Sequence, residues 1–266
     1  MIDLKTINDH VRATCMEVGA FILNEAGRFS KDSIELKGVN DLVSYVDKQA
    51  EQKLVNACKA ILPEAGFIAE ECTETLRGEE YNWVIDPLDG TTNFTHGLPI
   101  YAISIALMHR DVVILGVVHE INRNECFHAI KAGPAYCNDK IITVADTQEL
   151  KDSLLATGFP YYNFKQMKQY LSILDTLMQR THGLRRLGSA AVDLVYVACG
   201  RFEGFFEYNL NAWDVAAGAF IVQQAGGQVT DFKGDDDYIF GREIIAAGPV
   251  HQEMLSAIKE IWHNQN

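Results

Sequence analysis

Several absences narrow the field before any motif is read. The 266-residue chain has six cysteines (Cys15, Cys58, Cys72, Cys126, Cys137, Cys199), and no two of them form a C-x-x-C pair. Zinc-finger spacing is therefore missing, and a disulfide framework is not expected in a chain of this length. There are six prolines and no Pro-rich tract to act as a linker. The opening Met1-Ile2-Asp3-Leu4-Lys5 lacks a basic then apolar leader, and no apolar run reaches membrane-spanning length. The expectation is a reduced, cytoplasmic protein. Cationic charge is also short, with 23 Lys and Arg against 36 Asp and Glu and a net charge of -13. That balance argues against nucleic acid or an anionic membrane as a partner. It leaves anionic substrates open, because a carboxylate cluster loaded with divalent cations becomes locally positive.

What is present is enough apolar material, 48% of residues, for a sizeable core. Ile7, Val11, Cys15, Val18 and Ile22 recur at helical steps and predict an amphipathic first helix. After a polar break at Lys37-Gly38-Val39-Asn40, Asp41 reads as the cap of a second helix carrying Val43, Val46, Ala50, Leu54 and Val55 and ending near Pro63. Short strands at 67–69 and 83–85 run directly into acidic residues. A β meander follows at 103–108, 112–118 and 126–130. Beyond about Asp146 strands alternate with helices, at 154–156, 164–178, 184–187, 189–198, 204–206, 213–224 and 244–246, before a last helix with Leu255, Ile258 and Ile261. The expected organisation is a mixed α+β half over 1–145 and an α/β half over 146–266, sharing an interface.

Four acidic positions stand out, each beside an apolar element. Asp47 reads as mid-helix, Glu70-Glu71 ends a strand, Asp86 and Asp89 flank Pro87-Leu88 after another, and Asp214 follows Trp213 at a helix start. Singly, each has a bland explanation as a solvated turn, surface charge or helix cap; together they do not. A strand delivers Asp86 rigidly, Pro87 fixes the exit, and Asp89 returns to the same side. Gly90 permits a close turn, and Thr91-Thr92 can open a helix whose amides cradle an anion. Carboxylates beside a phosphate cradle suit magnesium, which takes oxygen ligands and often binds through carboxylates plus substrate phosphate.

Other chemistries fail on spacing. There is no G-x-x-x-x-G-K-[ST], the acidic pair is D-x-x-D where a haloacid-dehalogenase phosphatase needs D-x-D, and His119-Glu120 meets Arg123 where a zinc site needs a second histidine. The eight histidines read as structural or surface residues, and Asp235-Asp236-Asp237 as a solvated loop.

The run from Trp83 to Phe94, including Asp86-Pro87-Leu88-Asp89-Gly90-Thr91-Thr92, resembles the first signature of the inositol monophosphatase family. Trp213-Asp214-Val215-Ala216-Ala217-Gly218, running on to Gly226-Gly227, resembles the second. Asp41 to Asp47 and Ile68-Ala69-Glu70-Glu71 match the family's other acidic stretches, with Ser44 and Ala69 where Thr and Gly are frequent. The resemblance covers nearly the whole chain. It implies a layered αβαβα sugar-phosphatase fold and hydrolysis of a small-molecule phosphate ester with two to three Mg2+ ions. It further implies that Glu70, Asp86 and the Leu88 carbonyl hold one ion and that Asp86, Asp89 and Asp214 hold a second. Thr91, backed by Asp47 and Glu70, would activate water, and the Gly90 and Thr91 amides would hold phosphate. Gly188, Ser189, Ala190 and Glu207 occupy positions that face the substrate's hydroxyls. Lithium sensitivity and a homodimer are further family expectations. Arg185-Arg186 reads by default as a solvated pair, with a substrate or dimer contact as the alternative. Inositol monophosphate is the first choice of substrate; histidinol phosphate, 3'-phosphoadenosine phosphate, NADP and fructose 1,6-bisphosphate share the metal motif. A metal-binding regulator without catalysis is a further alternative.

Overall fold

A computed structural model describes residues 2–29, 34–38, 41–71, 76–160 and 164–263, with the backbone alone for 34–38 and 41–43. Cys72 and the Val39-Asn40 part of the polar break lie outside the described residues. The chain begins with α1 (Leu4–Ala26), β1 (Ile34–Gly38), β2 (Asp41–Ser44) and α2 (Tyr45–Ile61). It continues through β3 (Gly66–Ala69), β4 (Tyr81–Asp89), α3 (Thr91–His96), β5 (Ala102–His109), β6 (Val112–Glu120), β7 (Glu125–Ile130), β8 (Ala135–Cys137) and β9 (Lys140–Ile142). Then come β10 (Leu154–Thr157), α4 (Met167–Arg180), β11 (Gly183–Arg185), α5 (Ala190–Ala198), β12 (Gly204–Tyr208), α6 (Ala212–Gln224), β13 (Gln228–Thr230), β14 (Glu243–Ala247) and α7 (His251–Trp262).

Strand side chains alternate between faces, and that alternation assigns the layers. In β4, Trp83 and Ile85 face α1 and α2, where they join Val11, Cys15, Ile22, Ala50 and Leu54 in one core. Val84 faces the other way with Ala102, Ala106 and Val118, into a core filled by α5 and α6. Ala156, Phe205 and Ala246 of the second sheet belong to that same core, so α5 and α6 lie between the sheets. Leu155, Phe206 and Ile245 point outward to α4 and α7, packing on Tyr170, Leu177, Met254 and Trp262. The layers run helix, sheet, helix, sheet, helix: the expected αβαβα arrangement. The sequence of α6 fits its place, since Val215 to Val222 are all buried and a helix apolar all round is an interior one.

The first sheet has the order β3-β4-β5-β6-β7-β8-β9 and the second β11-β10-β12-β14-β13. The second is mixed, because β14 runs antiparallel to β12 although β10 is parallel to both its neighbours. Two expectations near the start of α2 change. Asp41 to Ser44 pair antiparallel with β1, so Asp41 lies in a strand and not at the start of α2. Ser44 is the cap instead: its Oγ accepts the Val46 N–H at 3.1 Å, and Asp47 accepts the Ser44 N–H at 2.8 Å. Asp47 is therefore the third residue of α2, closing a capping box, and not a mid-helix residue. Among the described residues no helix is long and apolar enough to cross a membrane.

Candidate active site

Asp86 and Asp89 are three residues apart, and in a regular strand they would face opposite sides of the sheet. A bulge prevents this. Asp86 pairs with Ser104 and Asp89 with Ala102, so three steps on β4 match two on β5 and both carboxylates return to one face. Pro87 fits there because it has no N–H to give the ladder. The Leu88 N–H donates to Asp86 Oδ1 at 2.9 Å. The shared face is the one carrying Val84 and Ala102, which looks toward the interlayer helices. Ser104 marks the same direction, donating to the Trp213 carbonyl of α6 at 3.2 Å.

Helix N-termini meet this strand end. Gly90 caps α3 at φ 101°, and a Cβ there would lie 3.0 Å from the Ile100 carbonyl, so the turn requires glycine. At the N-terminus of α5, the Ser189 hydroxyl and the Ala191 N–H both donate to Asp89 Oδ2, at 2.7 and 2.6 Å. At α6, Asp214 Oδ2 accepts the Asn211 N–H at 2.6 Å, which makes Asp214 the third residue of the helix and leaves the cap position to Asn211. Thr91 donates to Asp47 Oδ1 at 2.8 Å and lies 3.1 Å from the Leu88 carbonyl. Asp47 also accepts from the Ser44 hydroxyl at 2.5 Å, so both its oxygens are engaged.

These residues border a cavity of about 300 Å³. Its walls bring together every expected site residue except Asp47: Glu70, Asp86, Leu88, Asp89, Gly90, Thr91, Gly188, Ser189, Ala190, Glu207 and Asp214. Asp47 stands behind Thr91. Glu207 comes from β12, at the opposite side from β4, and packs against Gly158; a Cβ on Gly158 would overlap both carboxylate oxygens. The wall residues not anticipated in this role include Gly158 and Asp193, and Arg186 had a substrate contact only as its alternative reading. Arg186 is exposed, as its default reading holds, yet it stands at the cavity rim with its guanidinium 5.9 Å from the Phe159 ring centre. Asp193 carried a signal in the sequence, being the one charge inside the otherwise apolar run Ala190 to Ala198.

Electrostatics show what the cavity lacks. Burial, with the Glu70, Asp89 and Asp214 charges added, raises the Asp86 pKa well above the usual carboxylate range. Burial moves Asp89 up to about 6 against the Ser189 and Ala191 hydrogen bonds, and burial with the Asp89 charge moves Asp214 up to about 7. Burial lifts Glu207 to about 8, with Arg186 opposing. Asp47 is raised by burial, against its Ser44 and Thr91 hydrogen bonds. Among the described residues no three His, Cys, Asp or Glu side chains converge into a ready-made metal cage. The donor set nevertheless fits a hard cation. Asp86 Oδ2 and Asp89 Oδ1 take no hydrogen bond from a described residue, and the mutual repulsion of these acids is what a divalent ion would relieve.

An acidic cavity fringed by helix N-termini between the sheets of an αβαβα molecule can hold divalent cations and an anion side by side. Residues 3–265 match the inositol monophosphatase family, and the chain belongs to that family. Relatives include the inositol-1-monophosphatase of Mesorhizobium japonicum, 37% identical over 248 residues that cover 92% of this chain and 93% of that one. The Nus factor SuhB of Vibrio cholerae is 38% identical over 262 residues, covering 98% and 97%. Among solved structures, the extragenic suppressor protein suhB of Bartonella henselae superposes with a TM-score of 0.90 at 36% identity, over 96% of this chain and 99% of that one. The Thermotoga maritima IMPase gives 0.87 at 33% identity, over 95% and 96%.

Proposed function

We propose that the protein is a magnesium-dependent phosphomonoesterase that releases inositol and phosphate from inositol monophosphate. The observation that carries this reading is one cavity lined by Glu70, Asp86, Asp89, Thr91, Asp214 and Glu207 together, with Asp47 hydrogen-bonded to Thr91 behind it.

Glu70, Asp86 and the Leu88 carbonyl would hold one magnesium, Asp86, Asp89 and Asp214 a second, with a third more loosely near Glu70. Bound magnesium would neutralise these carboxylates and the substrate phosphate and stabilise charge on the attacking and leaving oxygens. The chain supplies the positioning. Thr91 gives its hydroxyl hydrogen to Asp47, which leaves the Thr91 oxygen to accept a hydrogen bond from water on the cavity side. As that water attacks in line, its proton passes through Thr91 to Asp47, whose raised affinity for protons suits it as acceptor. The Gly90 and Thr91 amides at the start of α3 hold phosphate oxygens, and Glu207 accepts hydrogen bonds from the alcohol's hydroxyls. Direct attack by water leaves no phosphoenzyme.

Purified protein with magnesium is expected to hydrolyse inositol 1-phosphate, and Asp214→Asn and Glu70→Gln to reduce turnover strongly. Undiminished magnesium-dependent turnover in both variants would sink the site assignment. A panel with histidinol phosphate, 3'-phosphoadenosine phosphate, NADP and fructose 1,6-bisphosphate tests the alcohol. A tenfold preference for one of these, about 1.4 kcal/mol of transition-state discrimination, would overturn inositol monophosphate. The relatives named as Nus factors keep a non-catalytic regulator as the competing outcome, and a protein that binds magnesium yet hydrolyses none of these esters would establish it. Lithium inhibition, a homodimer on gel filtration, a cytoplasmic location and a boundary between halves at 145/146 complete the reading.

A further inference from the structure

Helix α5 lies between the two sheets and reads Ala190-Ala191-Val192-Asp193-Leu194-Val195-Tyr196-Val197-Ala198. Asp193 is 1% exposed, yet it is a wall residue of the cavity. Its Oδ1 has no hydrogen-bond partner among the described residues. Buried polar atoms are nearly always paired, so an orphaned carboxylate oxygen needs a reason. Of the orphaned buried atoms, Asp193 Oδ1 and Trp213 Nε1 alone belong to cavity-wall residues.

A structural role for Asp193 is weak. The N–H groups at the start of α5 are already served, because Ser189 caps the helix and accepts the Val192 N–H, and Asp89 accepts the Ala191 N–H. An acid in the first turn gains from the helix dipole, but that gain is small beside the penalty for burying an unpaired carboxylate. The charges that act on Asp193 are those of Glu207, Asp89 and Arg186, all of them cavity residues. Glu207 is nearly as buried, at 7% exposed, and its carboxylate lies against Gly158 on the same cavity. Two buried acids on different elements, β12 and α5, thus line the cavity, and Asp193 Oδ1 has no donor among the described residues. A ligand bearing several hydroxyls, each able to donate and to accept, would satisfy Asp193 Oδ1 and reach Glu207 as well.

We propose that Asp193 is a specificity-determining residue, which joins Glu207 to recognise the hydroxyls of a polyhydroxylated alcohol on the leaving-group side. The proposal rests on the phosphomonoesterase reading of this cavity and adds a residue to it. Recognition of this kind discriminates sharply, because a substrate without the hydroxyls leaves Asp193 Oδ1 buried and unpaired.

The test compares two substrates in the full-length protein with magnesium: inositol 1-phosphate, and 4-nitrophenyl phosphate, whose leaving group has no further hydroxyls. Asp193→Asn keeps the shape and replaces one acceptor oxygen with a donor. It is expected to lower kcat/KM for inositol 1-phosphate about tenfold, mainly through KM, while 4-nitrophenyl phosphate stays within about twofold. Asp193→Ala should show the same selective loss. Equal losses on both substrates, no loss on either, or failure of the Asn variant to fold would each overturn the proposal and assign Asp193 a structural role. A wild-type protein inert on both substrates would instead overturn the phosphomonoesterase reading, and this proposal with it.

Discussion

The two ends of the cavity treat their carboxylates in opposite ways. At the phosphate end Asp47, Asp86, Asp89 and Asp214 are each tied by the protein, to Ser44 and Thr91, to the Leu88 amide, to Ser189 and Ala191, and to the Asn211 amide. On the proposed alcohol side Asp193 and Glu207 are buried, and Asp193 Oδ1 has no donor among the described residues. A tied carboxylate keeps its aim whatever ester arrives, which suits steps common to all phosphate esters. An untied acceptor gains a partner only from the ligand, and so it selects among ligands. The proposed function thus divides reaction and selection between two stretches of chain, β2 to α3 and β10 to α6, with Asp214 of the second reaching back to the first.

Breaking the phosphate end should have the largest effect, and the same effect for every substrate. Asp86→Asn removes the carboxylate placed to serve two cations and is expected to lower kcat/KM about 10³-fold, about 4 kcal/mol of barrier. Steady-state kinetics on inositol 1-phosphate and 4-nitrophenyl phosphate should show equal losses. Next comes Thr91→Ala, which removes the link from water to Asp47. A fall in kcat of about 10²-fold with KM little changed is expected from losing such a proton path. Glu207→Gln should be smaller and selective, about tenfold on inositol 1-phosphate alone.

Two further effects, the first of about the same size, concern pH. Asp89 at about 6 and Asp214 at about 7 hold protons that a cation must displace. Magnesium affinity measured by calorimetry should therefore rise about tenfold from pH 6 to pH 8 and then level off. The smallest effect is on stability without metal. The folded-state pKa of Asp214 lies above its unfolded value, so the stability it contributes is full below the unfolded pKa and is lost as pH rises through about 7. Metal-free Asp214→Asn escapes that loss. Its melting temperature relative to wild type should be higher at pH 8 than at pH 5 by a few degrees, at about 2–4 °C for each kcal/mol in a chain of this size.

Much of this was legible in the sequence, for particular reasons. The periodicity of Ile7 to Ile22 placed α1, and a strand running into acids placed Glu70 just past β3. Asp86, expected just past a strand ending at Ile85, lies instead inside β4, which runs on to Asp89. Local chemistry misled where two answers were available. Asp41 and Ser44 are both good caps, and pairing of Asp41 to Ser44 with β1 decided for Ser44. That Asp86 and Asp89 share a side was expected from a turn at Pro87, but its cause is a bulge within β4, set by the register with Ser104 and Ala102, which a single strand does not encode. Gly158 and Glu207 are far apart in the chain, so the need for glycine shows only when β10 lies beside β12. Asp193 was visible as a charge in an apolar helix, but its place in the cavity wall depends on packing between the two sheets.

The division of labour is tested most directly by one ratio, kcat/KM for inositol 1-phosphate over kcat/KM for 4-nitrophenyl phosphate. It should be measured in wild type, Asp47→Asn and Glu207→Gln under saturating magnesium. The predicted result is a ratio unchanged within about twofold in Asp47→Asn, despite its slower turnover, and about tenfold lower in Glu207→Gln. A ratio that falls equally in both variants, or in neither, would contradict the separation of chemistry from recognition.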